Sequence, residues 1–222
     1  MRRIAVELAV LDHSVSAATV QRYRRDRPPS FSWRTFLQLH APDIWAADFF
    51  TVQTLTFQTF YVFFVIGHDR RRILHWNVTW YPSAPWVWRQ ILAATPWNQH
   101  PRFLIRDRDR TYGADFLTKA SAIGITTVLT PVRAPKANAI AERVIGTIRR
   151  ECLDHLIVLN ERHLQRVLRE YLAYYNGTRP HQSLSNEPPA GPRGLSWSAE
   201  SQRLVSRPIL GGLHHEYYWE AA

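Results

Sequence analysis

Three acidic residues stand where charge is ordinarily excluded. Asp48 interrupts the run IWAADFFTV, Asp107 ends the apolar run FLI one step beyond Arg106, and Glu142 is flanked by Ile140, Ala141, Val144 and Ile145. Burying an unpaired carboxylate costs on the order of several kcal/mol, so each acid needs a basic partner, a hydrogen-bond network or a cation. Carboxylate oxygens suit Mg²⁺ or Mn²⁺. Two such ions roughly 4 Å apart activate a nucleophilic oxygen and stabilise the leaving oxygen of a phosphodiester, which is phosphoryl transfer on nucleic acid. Residue pattern alone leaves this trio one choice among 18 acids.

The elements that must position these acids follow from periodicity. From Asp43 the apolar residues alternate through IWAADFFTV, LTFQTFYVFFVIG and RRILHWNVTWY, an antiparallel meander of three strands. WVWRQILAAT then predicts a helix, RFLIRD a fourth strand, Gly113 to Ile123 a helix and ITTVLTP a fifth strand. A Pro/Ala/Asn loop leads to a long helix from about Asn138 to His155, and another runs from Glu161 to Tyr175. Three antiparallel strands followed by β/α alternation indicate an α/β fold with a mixed sheet covered by helices. Ile4 to Arg25 suits two short helices with Ser16 as N-cap of the second, compatible with part of a helix-turn-helix. We read residues 1–27 as this segment, 28–40 as a linker imposed by Pro28 and Pro29, 41–187 as the core, and 188–222 as a tail with a hairpin turning at Gly211 and Gly212.

Composition narrows the partners. The chain has 222 residues, 28 Lys plus Arg against 18 Asp plus Glu, and 45% hydrophobic residues, so it is a packed globule with a net charge of +10 on its surface. A polyanion is the expected partner. No apolar run approaches the length needed to span a bilayer, and the single cysteine, Cys152, excludes an internal disulfide and a thiolate-rich zinc module. A cytoplasmic location fits both.

Four segments in order, DIWAADFFTV, LIRDRDRTYGADF, TPVRAPKANAIAERVIGTIRREC and YYNGTRPHQSLSNEPPAGP, resemble the integrase core of bacterial insertion-sequence transposases and retroviral integrases, the ribonuclease H-like DDE family. The resemblance covers about residues 40–190 and implies a five-stranded ribonuclease H-like sheet. It also implies Mg²⁺ as cofactor, with Mn²⁺ able to substitute, and Asp48, Asp107 and Glu142 as catalytic metal ligands. Asp48 lies mid-strand, Asp107 precedes Tyr112 by five positions, and 34 residues lie between Asp107 and Glu142, close to the family's spacing. Asp109 is the rival for the second position, and it stands where many relatives carry Gly. The implied activity is DNA cleavage and strand transfer, with element ends and target duplex as partners and a homo-oligomer assembled on DNA. Two alternatives share the fold: a transposase-derived DNA-binding protein without strand transfer, and a ribonuclease H-type nuclease.

The expected DNA contacts are basic or polar residues near the acids. Asn138, Glu142, Gly146 and Arg149 share one face of the long helix, where Gly146 would leave room for a close approach and Arg149 could clamp a phosphate. Arg133 and Lys136 precede that helix in a loop which, in the family, lies near the scissile strand. Arg108 alternates with Asp107 and Asp109, free to meet a backbone phosphate or to pair locally. Arg179 and His181, within YNGTRPHQSL, read as a structural closure, and Trp76, Trp80, Trp86 and Trp88 as packing around the sheet. His214 and His215 fall on opposite faces of a strand and do not share an ion.

Overall fold

The structure is a computed structural model that describes residues 6, 8–10, 12–25, 33–96, 100–130, 138–192 and 202–221. The chain divides into two compact units, Met1–Leu39 and His40–Ala222. In the first, helix α1 (Ala17–Arg25) starts where expected: Ser16 Oγ accepts the Thr19 N–H at 3.1 Å. The stretch read as a linker is shorter than expected, because Trp33–Leu39 forms helix α2, four residues clear of Pro29, with Trp33 stacked on Phe36.

The second unit is built on the alternating runs. Strands β1 (Ile44–Gln53), β2 (Thr59–Gly67), β3 (Ile73–Thr79), β4 (Phe103–Arg106) and β5 (Thr126–Leu129) form one mixed sheet in the order β3-β2-β1-β4-β5. The β1–β2 and β2–β3 pairs are antiparallel, and the β1–β4 and β4–β5 pairs are parallel. Helices cover both faces. Helix α3 (Ala84–Ala94), capped by Ser83 with Pro85 in its first turn, and α4 (Phe116–Ala122) cover one face. There Ala47, Phe63, Val65 and Leu104 meet Val87, Ile91, Phe116 and Ala120 in a dry core. Helix α4 begins later than periodicity suggested because Gly113 takes φ +81°, outside the helical region. Helices α5 (Ala139–Glu151) and α6 (Glu161–Gly177) cover the other face, α5 against β1 and α6 against β3. Helix α5 stops at Glu151, and Leu153–His155 forms a separate 3-10 turn.

Among the tryptophans read as packing, Trp86 and Trp88 are edge-on to Phe63 and Phe116, whereas Trp80 is 65% exposed beside Tyr81. Strand β6 (Gln202–Ile209) and β7 (His214–Ala221) form the expected hairpin through Leu210–Gly212. His214 is a docking residue: it stacks on Tyr174 of α6 and its Nε2 meets the Glu151 carbonyl at 2.6 Å. No helix of the described residues is long and apolar enough to cross a membrane.

The YNGTRPHQSL stretch fastens the edge strand β3 to α6. Asn176 accepts the Ile73 N–H at 2.9 Å and donates to the Ile73 carbonyl at 2.8 Å, so one side chain stands in for a missing neighbouring strand. Arg70 donates to Glu187, Pro188 and Pro189, and Arg179 forms a two-pronged pair with Glu151, which also accepts from Tyr171. His181 is buried edge-on to Tyr175. These are closing contacts, as the sequence suggested. Asn176→Ala strands both groups of Ile73 and should cost about 2 kcal/mol in urea unfolding. A loss below about 0.5 kcal/mol, the scale of an ordinary surface substitution, would show that β3 does not depend on this clamp.

Candidate active site

The pleat of β1 decides which way Asp48 points. Trp45, Ala47 and Phe49 face the α3 side, so the even-numbered residues, Asp48 among them, face α5. On the neighbouring parallel strand, Ala46 is paired with Ile105. In that register Ile105 shares the α5 face with Ala46, and Asp107 follows one residue past the end of β4, near enough for its charge to act on Asp48. Arg106, one residue earlier, therefore faces the other side. It is buried there with its guanidinium 4.5 Å from the Tyr112 ring centre and 4.8 Å from that of Phe116.

Asp48 is mostly buried and its partners are few. Its Oδ1 accepts the Phe49 N–H at 2.8 Å and its Oδ2 accepts the Asn138 amide at 3.0 Å. Burial raises its pKa to about 6; the Phe49 N–H opposes this, while the charges of Asp107 and Glu142 push it further up. Asp107 is also raised, first by burial and then by Asp109, against the Asp109 N–H and Arg106. Glu142 is exposed near the start of α5, where Ala141, Val144 and Ile148 take the core positions instead. The three acids thus lie within electrostatic reach of one another at the β1–β4 seam and the start of α5. Among the described residues, no three His, Cys, Asp or Glu side chains are close enough to hold a metal as they stand.

The donor set fits a hard divalent cation. Asp48 is a carboxylate with no basic side chain opposing its raised pKa, and beside it the buried Asn138 Oδ1 has no hydrogen-bond partner. Asp48, Asp107 and Glu142 are the groups that would hold Mg²⁺ or Mn²⁺.

The other expected site residues divide. Asn138 is buried and holds Asp48, so it is a positioning group rather than an exposed DNA contact. Arg149 donates to the Thr51 carbonyl at 3.0 Å and lies 5.8 Å from the Phe50 ring centre. It borders a groove of about 380 Å³ that also includes Phe49, Ile145, Asp109 and Thr111, the approach to the acids. Arg108 is exposed and donates to Thr130, tying the ends of β4 and β5. The space beside Gly146 is filled by the Arg150 guanidinium, which a Cβ would meet at 2.9 Å. Arg133 and Lys136 lie outside the described residues. Asp109 is a loop organiser: it accepts the Thr111 N–H at 2.8 Å and the Thr111 hydroxyl, and its own N–H donates to Asp107 at 3.2 Å. Its Asp-x-Thr spacing was a readable capping signal. The buried Arg106 carried no such signal.

The fold is shared with solved retroviral integrase catalytic cores. The human T-cell leukaemia virus 2 (HTLV-2) integrase catalytic core domain in complex with magnesium, in its trimeric form, is 12% identical with a TM-score of 0.54, over 68% of this chain and 96% of that one. The dimeric form of the same domain is 13% identical with a TM-score of 0.54, over 69% and 97%. The simian T-cell lymphotropic virus intasome, in complex with the PP2A regulatory subunit B56 gamma, is 13% identical with a TM-score of 0.54, over 82% and 68%. Residues 123–189, from the end of α4 through α5, α6 and the closing segment, match the family model of the integrase core domain. No curated protein matches it in sequence.

The raised pKa of Asp48 has a stability consequence. Its folded pKa lies above the unfolded value, so the fold favours the protonated form, and wild-type stability falls as pH rises from about 4 to about 6. With a chelator present, Asp48→Asn should be more stable than wild type by about 2–3 kcal/mol at pH 7 and no more stable below pH 4. A variant less stable than wild type at pH 7 in denaturant unfolding would mean that the Asp48 anion is already compensated.

Proposed function

We propose that this protein is a DDE-type transposase or integrase that cleaves DNA at an element's end and joins the freed 3′-hydroxyl to target DNA. The observation that carries this reading is that Asp48, hydrogen-bonded by Asn138 at the N-cap of α5, feels the charges of both Asp107 and Glu142. The integrase-core fold and the net charge of +10 support it. In this reading the three carboxylates are the ligand set for Mg²⁺, or Mn²⁺ in its place. When bound, the metal supplies positive charge to the phosphoryl oxygens and lowers the pKa of an attacking water or hydroxyl.

The protein's own groups do the rest. Asn138 and the Phe49 N–H fix the orientation of Asp48, and the Asp109 N–H fixes Asp107. Arg149, anchored on Thr51, gives the groove a cation for the substrate backbone, while Arg108 stands exposed beyond Asp107. Arg133 and Lys136 are assigned to DNA contact from the sequence resemblance. Element ends and target duplex are the partners, a homo-oligomer on DNA is the working assembly, and the cytoplasm is the site of action. The basic α1 serves end recognition as part of a helix-turn-helix.

Glu142→Gln keeps shape and removes one negative charge from the ligand set. Mg²⁺- or Mn²⁺-dependent nicking and joining of candidate element ends should fall by at least about 100-fold, since loss of even an outer-shell partner costs 10–100-fold. Duplex affinity should hold or improve. If wild type and variant bind duplex tightly yet both leave several donor ends intact, the transposase-derived binder is the better reading. Equal activity would remove Glu142 from the site.

A further inference from the structure

A second polar cavity lies on another flank of α5. It measures about 190 Å³ and is bordered by Arg143 and Thr147 of α5, Arg71 from the β2–β3 turn, and Arg179, Gln182 and Ser183 of the closing segment. Arg179 is paired with Glu151. Arg71 and Arg143 have no carboxylate within ion-pair distance among the described residues. Arg71 reaches only the Ser183 hydroxyl, and it is held at φ +59°, a backbone conformation uncommon outside glycine. Burial and the charge of Arg143 both depress the Arg71 guanidinium, so two like charges share a hollow that contains no anion of the protein. Hydroxyl and amide donors from Thr147, Ser183 and Gln182 complete a lining with the chemistry of a tetrahedral oxyanion site.

The cavity is close to the acids along the chain yet separate from them. Arg143 follows Glu142 directly, about 100° further round the helix, so α5 presents a carboxylate to the β1–β4 seam and a guanidinium to the closing segment. We propose that Arg71, Arg143 and Arg179 seat one backbone phosphate of the DNA, flanking the phosphodiester that meets the acids. This rests on the DNA-transferase reading above. The cavity adds a fixed anchor that holds the strand's register through its backbone, independent of base sequence. The closing segment then does more than close the fold, since Arg179, fastened by Glu151, brings Gln182 and Ser183 to the phosphate.

The test compares wild type, the Arg71→Gln/Arg143→Gln double variant and Thr147→Glu on unrelated duplex across a range of salt, with thermal denaturation in inorganic phosphate alongside. If the cavity holds one phosphate, the slope of log affinity against log salt should become shallower by about 0.9 in both variants. Thr147→Glu places a tethered carboxylate among the arginines, so it should raise the melting temperature while weakening DNA binding, a combination that simple misfolding does not produce. Inorganic phosphate should raise the melting temperature of wild type but of neither variant. An unchanged slope in both variants, beside a steep wild-type slope, overturns the anchor and leaves the DNA reading intact. A flat wild-type response overturns the DNA reading and this proposal together. Phosphate stabilisation of wild type alone, with all slopes equal, assigns the cavity to a free anion and overturns the DNA anchor.

Discussion

Parallel pairing of β1 with β4 is the contact on which the rest of the site depends. Because Ala46 is paired with Ile105, β4 ends beside the middle of β1 and hands Asp107 to the loop near Asp48. A shift of one residue would bring Arg106 to the α5 face. The aromatic floor beneath Arg106 opposes that slip. Tyr112 and Phe116 hold the guanidinium on the α3 side, and the Tyr112 hydroxyl donates to the Ala47 carbonyl at 3.3 Å. Two like-charged acids are held together by the packing of a cation on the opposite face.

Helix α5 then works as a divider. Its core positions, Ala141, Val144 and Ile148, fix its roll against β1, and that roll assigns every polar residue on it. Asn138 turns inward to Asp48, Arg149 lies along Thr51 and Phe50, and Arg143 borders the arginine-lined cavity. The clamp of Asn176 on Ile73 and the Arg179–Glu151 pair hold α6 and the closing segment against this arrangement. The C-terminal hairpin reaches the same network through His214.

Much of this was legible from residues alone. The strands of the sheet could be read because the β1–β3 runs are rich in β-branched and aromatic residues and polar or charged breaks separate them. Exposure was harder to read. Glu142 looked buried among aliphatic neighbours, yet the core stripe of the helix runs through Ala141, Val144 and Ile148 and leaves Glu142 exposed. Asn138 looked like a surface contact because its sequence neighbours are small and polar; its burial depends on Asp48, ninety positions away. The space expected beside Gly146 is taken by Arg150, a long flexible side chain whose course no local pattern specifies. The cavity of Arg71, Arg143 and Arg179 joins three distant segments, and only the folded chain brings them together.

The most direct test of the central claim is an experimental structure of the protein with Mn²⁺, read by anomalous scattering. Manganese should lie at the β1–β4 seam, bound by Asp48 and Asp107 with Glu142 swung in from α5. Manganese bound elsewhere would contradict this, as would carboxylate oxygens of the three acids ordered more than about 10 Å apart, beyond the span of a metal pair and its ligands.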